Sequence, residues 1–173
     1  MEDVNLKKKL INFINLKKTI LGVGPMSMNC IDAANNLSNN LKIPMFLICS
    51  RRQIDSQFHG GGYVNNWTTE KLNEYLKRKK NKYLILSRDH GGPWQNNLEI
   101  KKKMNIEEAM KSAKKSFEVD IANDFKVIHI DPSLNIDSKN NLKRVIDNIF
   151  ELYEHCFEFS NKNKKKIIFE IGT

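Results

Sequence analysis

The chain has 173 residues, with 29 lysines and arginines against 20 aspartates and glutamates, for a formal charge of +9. That length suits one domain with a real core. The charge invites an anionic partner, but the basic runs Lys7–Lys9, Lys77–Lys80, Lys101–Lys103 and Lys164–Lys166 are scattered and carry no interleaved aromatics, which argues against nucleic acid.

In chain order, Leu6, Leu10, Ile11 and Ile14 fall at helical spacing and predict an N-terminal amphipathic helix over 4–17. Thr19 to Val23 reads as a strand stopped by Gly24-Pro25. Ile31, Ala34, Leu37 and Leu41 define a helix over 29–41, and Pro44 to Ser50 a second strand. A long loop with Gly60-Gly61-Gly62 leads to a helix beginning near Thr68, with Leu72, Tyr75 and Leu76 inward. Tyr83 to Leu86 is the central strand, and a polar stretch follows it to about Asn105. A helix over 106–122, a strand through Val127 to Ile130, a long helix from Ser138 to Ser160 and a last strand from Lys166 to Ile171 complete the pattern. Strands alternating with helices predict βα units and a parallel sheet within an α/β fold.

Polar residues gather where each strand ends: Gly24 to Ser27, Ser50 to Gln53, Arg88-Asp89-His90, Asp131 to Ser133, and Glu170. In a (β/α) barrel these ends converge on one rim. In an open doubly wound sheet only those beside the switch point would do so. The recurrence favours the barrel. Asp89 and His90 would point to opposite faces of an extended strand, and reach one pocket only if the chain turns there. Otherwise Asp89 caps the next element and His90 is solvated.

Arg51 and Arg52 either grip a phosphate bidentately or pair with Asp55 and Asp89. The triple glycine either brings backbone N–H groups to an anion or is a plain flexible loop. Trp67 and Trp94 read as loop packing, Met26 and Met28 as core, and His59, His129 and His155 as satisfied or solvated rings. Cys30, Cys49 and Cys156 are far apart with no Cys-x-x-Cys pair. They read as reduced thiols of a cytoplasmic protein. No apolar run approaches about 18 residues, so no membrane-spanning helix is expected.

Arg51-Arg52-Gln53-Ile54-Asp55, Phe58 to Tyr63, Asp89-His90-Gly91-Gly92-Pro93, Ile128-His129-Ile130-Asp131 with Ser133, and Glu170-Ile171-Gly172-Thr173 follow in a familiar order. The pattern resembles the non-catalytic subunit family of tagatose-bisphosphate aldolase, within the class II aldolase-like barrels. The resemblance runs from about Leu21 onward and implies a single domain over 1–173, a partial TIM-type barrel of about five βα units. It implies carbohydrate metabolism, a sugar-phosphate ligand, and support for a class II catalytic subunit. The alternative is a zinc-dependent aldolase, a carbon–carbon lyase, in its own right. By position Asp89 would be the proton donor, and His90 and Glu170 would face zinc. Ser50, Arg51, Gln53, Gly61, Arg88 and Asp131 would contact the sugar phosphate. A full barrel has eight strands, so the resemblance also implies either a truncated frame or completion by another chain, such as a second copy.

Overall fold

A computed structural model describes residues 3–134, 136 and 141–172, with side chains for all of these except 3–7 and 9. The described residues form six α-helices and five strands, in the order α1 (Asp3–Asn15), β1 (Gly22–Val23), α2 (Met28–Leu41), β2 (Met45–Ser50), α3 (Thr69–Lys79), β3 (Leu84–Gly91), α4 (Asn97–Lys101), α5 (Ile106–Ala122), β4 (Val127–Ile130), α6 (Leu142–Lys162) and β5 (Ile168–Ile171). The strands form one sheet in the order β1-β2-β3-β4-β5, every pair parallel. A doubly wound sheet would put β1 in its interior. Here β1 is an edge.

Helices form where the apolar spacing and the caps agree. In α5, Ala109, Met110, Ala113, Phe117 and Ile121 face inward. Its start is fixed by a capping box in which Asn105 and Glu108 satisfy each other's backbone N–H groups. Ser27 and Thr68 cap α2 and α3 more simply, each side-chain hydroxyl accepting one backbone N–H, from Cys30 and Lys71.

Crossovers between neighbouring parallel strands are right-handed, which sends successive helices to the same side of the sheet. The core records this: Ile31 of α2, Leu72 of α3, Phe117 and Ile121 of α5, and Leu152 and Cys156 of α6 share one cluster with Leu47, Cys49, Leu86, Ile128 and Ile130. Burial pushes the Cys49 thiol up to about 12, so it serves as an inert core group. By the two-residue period of a strand, the opposite face carries Ile48, Ser50, Ser87, Asp89, His129 and Glu170.

Several expectations shift. The first strand shrinks to two residues, while the central strand extends five residues beyond Leu86. The polar stretch after it contains α4. In α1, Ile11 and Ile14 are exposed rather than inward. The expected start of the last helix at Ser138 lies outside the described residues, as does Thr173. Leu142, Ile146, Phe150 and Phe157 leave an exposed apolar stripe along α6, and β5 is an edge strand of the sheet. Among the described residues, no helix is long and apolar enough to cross a membrane.

Candidate functional site

The end of β3 is built by a β-bulge. Arg88 pairs with Ile128 and Gly91 with Ile130, so three steps on β3 match two on β4. The extra residue is taken up at His90, whose φ is +45°. A bulge breaks the strand's alternation, and Asp89 and His90 both turn to the side chains of β4. Asp89 Oδ1 lies 3.2 Å from His129 Nδ1, and His90 Nδ1 lies 2.7 Å from Asp131 Oδ2. The two glycines that follow are required by space. A Cβ at Gly92 would sit 2.0 Å from the Asp131 carbonyl oxygen, and one at Gly91 2.3 Å from the Phe117 ring. The Asp-His-Gly-Gly sequence is therefore a device that presses one strand end against the next.

The charges in this group support one another. The bond to His129 lowers the Asp89 pKa, while Asp89 and, further off, Glu170 and Asp131 raise that of His129. Burial would raise the Asp131 pKa, but His90 and both the hydroxyl and the backbone N–H of Ser133 hold it below the usual carboxylate value. Asp131 is buried, whereas His90 is exposed. A buried carboxylate thus fixes the orientation of an accessible imidazole.

Two of the expected ligand contacts turn inward instead. Arg88 is fully buried. Its guanidinium makes a fork to Asp120 with two 2.7 Å bonds and donates to the carbonyls of Cys49 and Ile54. It faces the helices because it shares parity with Leu86, so it is a core ion pair and not a substrate contact. Arg51 is equally buried, donating to Asp55, to the Gly92 carbonyl and to Glu99. Asp55 in turn accepts from the Ser56 N–H, Asn96 and Ser116. These bonds tie the β2–α3 loop to the β3–α5 segment. His59 belongs to the same buried support, bridging Ser56 and Ser112.

Above Arg51 a pocket of about 220 Å³ opens between the β2–α3 loop and α4. Arg52, Tyr63, Asn97 and Lys101 line it over His59 and Arg51, and no carboxylate is among its lining residues. Gly61 is on its wall, with φ +75° and no room for a Cβ, which would meet the Trp67 carbonyl at 2.8 Å. Ser50 and Gln53 stand nearer β1: Gln53 bonds the Ser50 N–H and reaches Met26 Sδ at 3.1 Å. Met26 is 59% exposed, not core. Trp94 is buried, its indole N–H donating to the Met104 carbonyl, so it packs the loop as expected.

The structure therefore gathers Asp89, His90 and Asp131 at one rim and adds His129, which sequence reasoning set aside as a satisfied ring. One nitrogen or oxygen atom from each of Asp89, His90 and His129 lies within 4.8 Å of the other two. Glu170 is exposed on β5, opposite His129 in register, and stands outside that trio.

A parallel sheet backed on one face by helices, with titratable groups at its C-terminal rim, is an α/β architecture that recurs in many enzymes. No protein-family model matches the chain, and no curated protein sequence matches it significantly. Among solved structures, the chain is similar to the crystal structure of a probable tagatose 6 phosphate kinase from Sinorhizobium meliloti 1021, with TM-score 0.73 and 18% identity. The match covers 90% of this chain and 39% of that one, and the likeness is one of fold.

Proposed function

We propose that the chain is a sugar-phosphate-binding protein of carbohydrate metabolism, built as about five βα units of a TIM-type barrel. In this reading it acts as the non-catalytic subunit of a tagatose-bisphosphate aldolase does, supporting a class II catalytic partner in the cytoplasm. One observation carries the reading. The carboxylate–imidazole group at the ends of β3 and β4 adjoins a basic pocket lined by no carboxylate, and Gly92 and Arg51 link the two. A phosphorylated sugar has both chemistries: hydroxyl and carbonyl oxygens for the first, a dianion for the second. The name of the structural neighbour points to the same substrate class. The open β5 edge and the apolar stripe on α6 offer a second chain a surface to cover. That chain is the catalytic subunit or another copy.

The second reading, an aldolase in its own right, draws on the two acid–imidazole pairs. Asp131 holds the Nδ1–H of His90 and leaves Nε2 to exchange a proton, and Asp89 stands beside it to give or take one. Retro-aldol cleavage of a ketose 1,6-bisphosphate separates the readings. With the chain alone, the rate is expected at background; added to a class II aldolase, the chain is expected to raise that enzyme's activity or lifetime. Cleavage by the chain alone, lost in Asp89→Ala, would establish the second reading. No effect on the partner enzyme would remove the first.

A further inference from the structure

We propose that the N-terminal end of the sheet is a docking surface for an anionic lipid bilayer, which the chain meets peripherally through lysines and exposed aliphatic side chains. The surface lies at the opposite end of the strands from the carboxylate–imidazole rim. It stands independently of whether a sugar phosphate binds there.

Lysines that are scattered in the sequence are brought together by the topology. All five strands are parallel, so the five turns leading from a helix into a strand, at 16–21, 42–44, 80–83, 123–126 and 163–167, lie at one end of the sheet. These turns hold nine lysines and one carboxylate, Asp124. Asp124 binds Lys165 from this set and Lys77 from the last turn of α3. Seven others, Lys17 and Lys18, Lys42, Lys80 and Lys82, and Lys164 and Lys166, are exposed, and their side chains have no ion pair or hydrogen bond among the described residues. Lys17, Lys42, Lys80 and Lys164 have φ of +52°, +53°, +52° and +54°, the left-handed helix-end position where glycine is usual. A cation there answers the negative end of the helix dipole, which accounts for one lysine per turn. It does not account for Lys18, Lys82 and Lys166, the second free cation in three of these turns.

Apolar side chains stand among these cations. Leu16, Leu21, Leu41 and Ile43 are 55%, 53%, 57% and 39% exposed, and Lys42 lies between the last two. The Phe46 N–H donates to the Leu21 carbonyl at 2.9 Å, which holds the turn into β1 beside the turn into β2. Four aliphatic side chains and Lys17, Lys18 and Lys42 thus share one corner of the sheet. The helix α1 runs into the same corner with Ile11 and Ile14 exposed. Lysines flanking exposed aliphatic groups match an anionic bilayer: the ammonium groups meet lipid phosphates and carboxylates, and the aliphatic groups enter the acyl boundary. Nucleic acid fits less well. The free cations of the turns are all lysines, and the two aromatics there, Phe125 and Tyr83, are buried and half-buried, which leaves no exposed ring for bases to stack on.

The test is co-sedimentation of the full chain with extruded vesicles of one part phosphatidylserine to two parts phosphatidylcholine, and with vesicles of phosphatidylcholine alone. Binding is expected to the anionic vesicles only, and is expected to weaken as salt is raised. Losing one lysine near such a surface costs roughly fivefold, so Lys18→Ala/Lys82→Ala/Lys166→Ala is expected to weaken binding by about a hundredfold. Leu16→Ser/Leu41→Ser is expected to weaken it by about tenfold or more. Lys71→Ala/Lys102→Ala/Lys111→Ala removes the same charge elsewhere and is expected to bind as the wild type does. Every substituted side chain is exposed, and circular dichroism checks that each variant is folded. No binding to the anionic vesicles, equal binding to both kinds, an equal loss in the control triple variant, or unchanged binding in the leucine variant would overturn the assignment. So would tighter binding to a single-stranded RNA oligonucleotide that the leucine variant retains, which would give the surface to nucleic acid. Ketose-phosphate binding measured without vesicles reports separately on the sugar-phosphate reading.

Discussion

Replacing Arg88 with alanine is expected to destabilise the protein by about 3–5 kcal/mol, the cost of stranding one member of a buried ion pair. Asp120 would be left with no guanidinium at a site that is fully buried, and the carbonyls of Cys49 and Ile54 would lose their shared donor. Burial alone would lower the Arg88 pKa, but the Asp120 carboxylate outweighs it and keeps the group charged. Domains of this kind have about 5–15 kcal/mol in total, so the variant would stand near its limit. Lysine should not rescue it, because a single ammonium cannot reproduce the two-bonded fork and the stack on Phe125. Urea denaturation with a matched Arg52→Ala control measures this. An Arg88→Ala protein of unchanged midpoint that had lost sugar-phosphate binding would return Arg88 to the ligand.

The second large effect is an acid transition centred on Asp55. Burial would raise its pKa, but Arg51, His59, Arg88 and the Ser116 hydroxyl bring it down from the usual 3.8 to about 2. The folded value lies below the unfolded one, so ionised Asp55 contributes stability at every pH above about 3.8. That contribution, on the order of 2 kcal/mol for a shift of this size, is lost as pH falls from 3.8 to about 2. Asp55→Ala is expected to remove this part of the acid transition. It should also lower stability at neutral pH by several kcal/mol, because Arg51, Asn96 and Ser116 lose their common acceptor. Equilibrium unfolding from pH 2 to 7 in both proteins checks the sign. An identical pH dependence in the two would contradict it.

Periodicity made the architecture legible: the alternation of apolar strands and amphipathic helices gives a parallel sheet in chain order. The rim was readable for the same reason, since Asp89, His90 and Asp131 close two strands. The assignment of Arg88 to a ligand failed on strand parity. Leu86 and Arg88 share the helix-facing side, and that rule could have been applied to the sequence. The same rule finds His129, which alternates with the core residues Ile128 and Ile130. The bulge that turns Asp89 and His90 together was not readable, because it depends on register with β4. Nor was the burial of Arg51, whose partner Glu99 lies 48 residues away in a segment that looked merely polar. Lys101 was hidden in a lysine run until α4 set it on the pocket wall.

The most direct test of the sugar-phosphate site is calorimetric titration of the purified chain with a ketose 1,6-bisphosphate at fixed ionic strength. The wild-type chain is compared with Arg52→Ala/Lys101→Ala and His90→Gln. Both cations line the pocket and are exposed at the surface, so their removal should leave the fold intact. The expected result is saturable binding by the wild-type chain and a loss of about tenfold or more, about 1.4 kcal/mol, in each variant. Binding that is absent at saturating ligand, or that is the same in all three proteins, would contradict the assignment of this rim to a sugar phosphate.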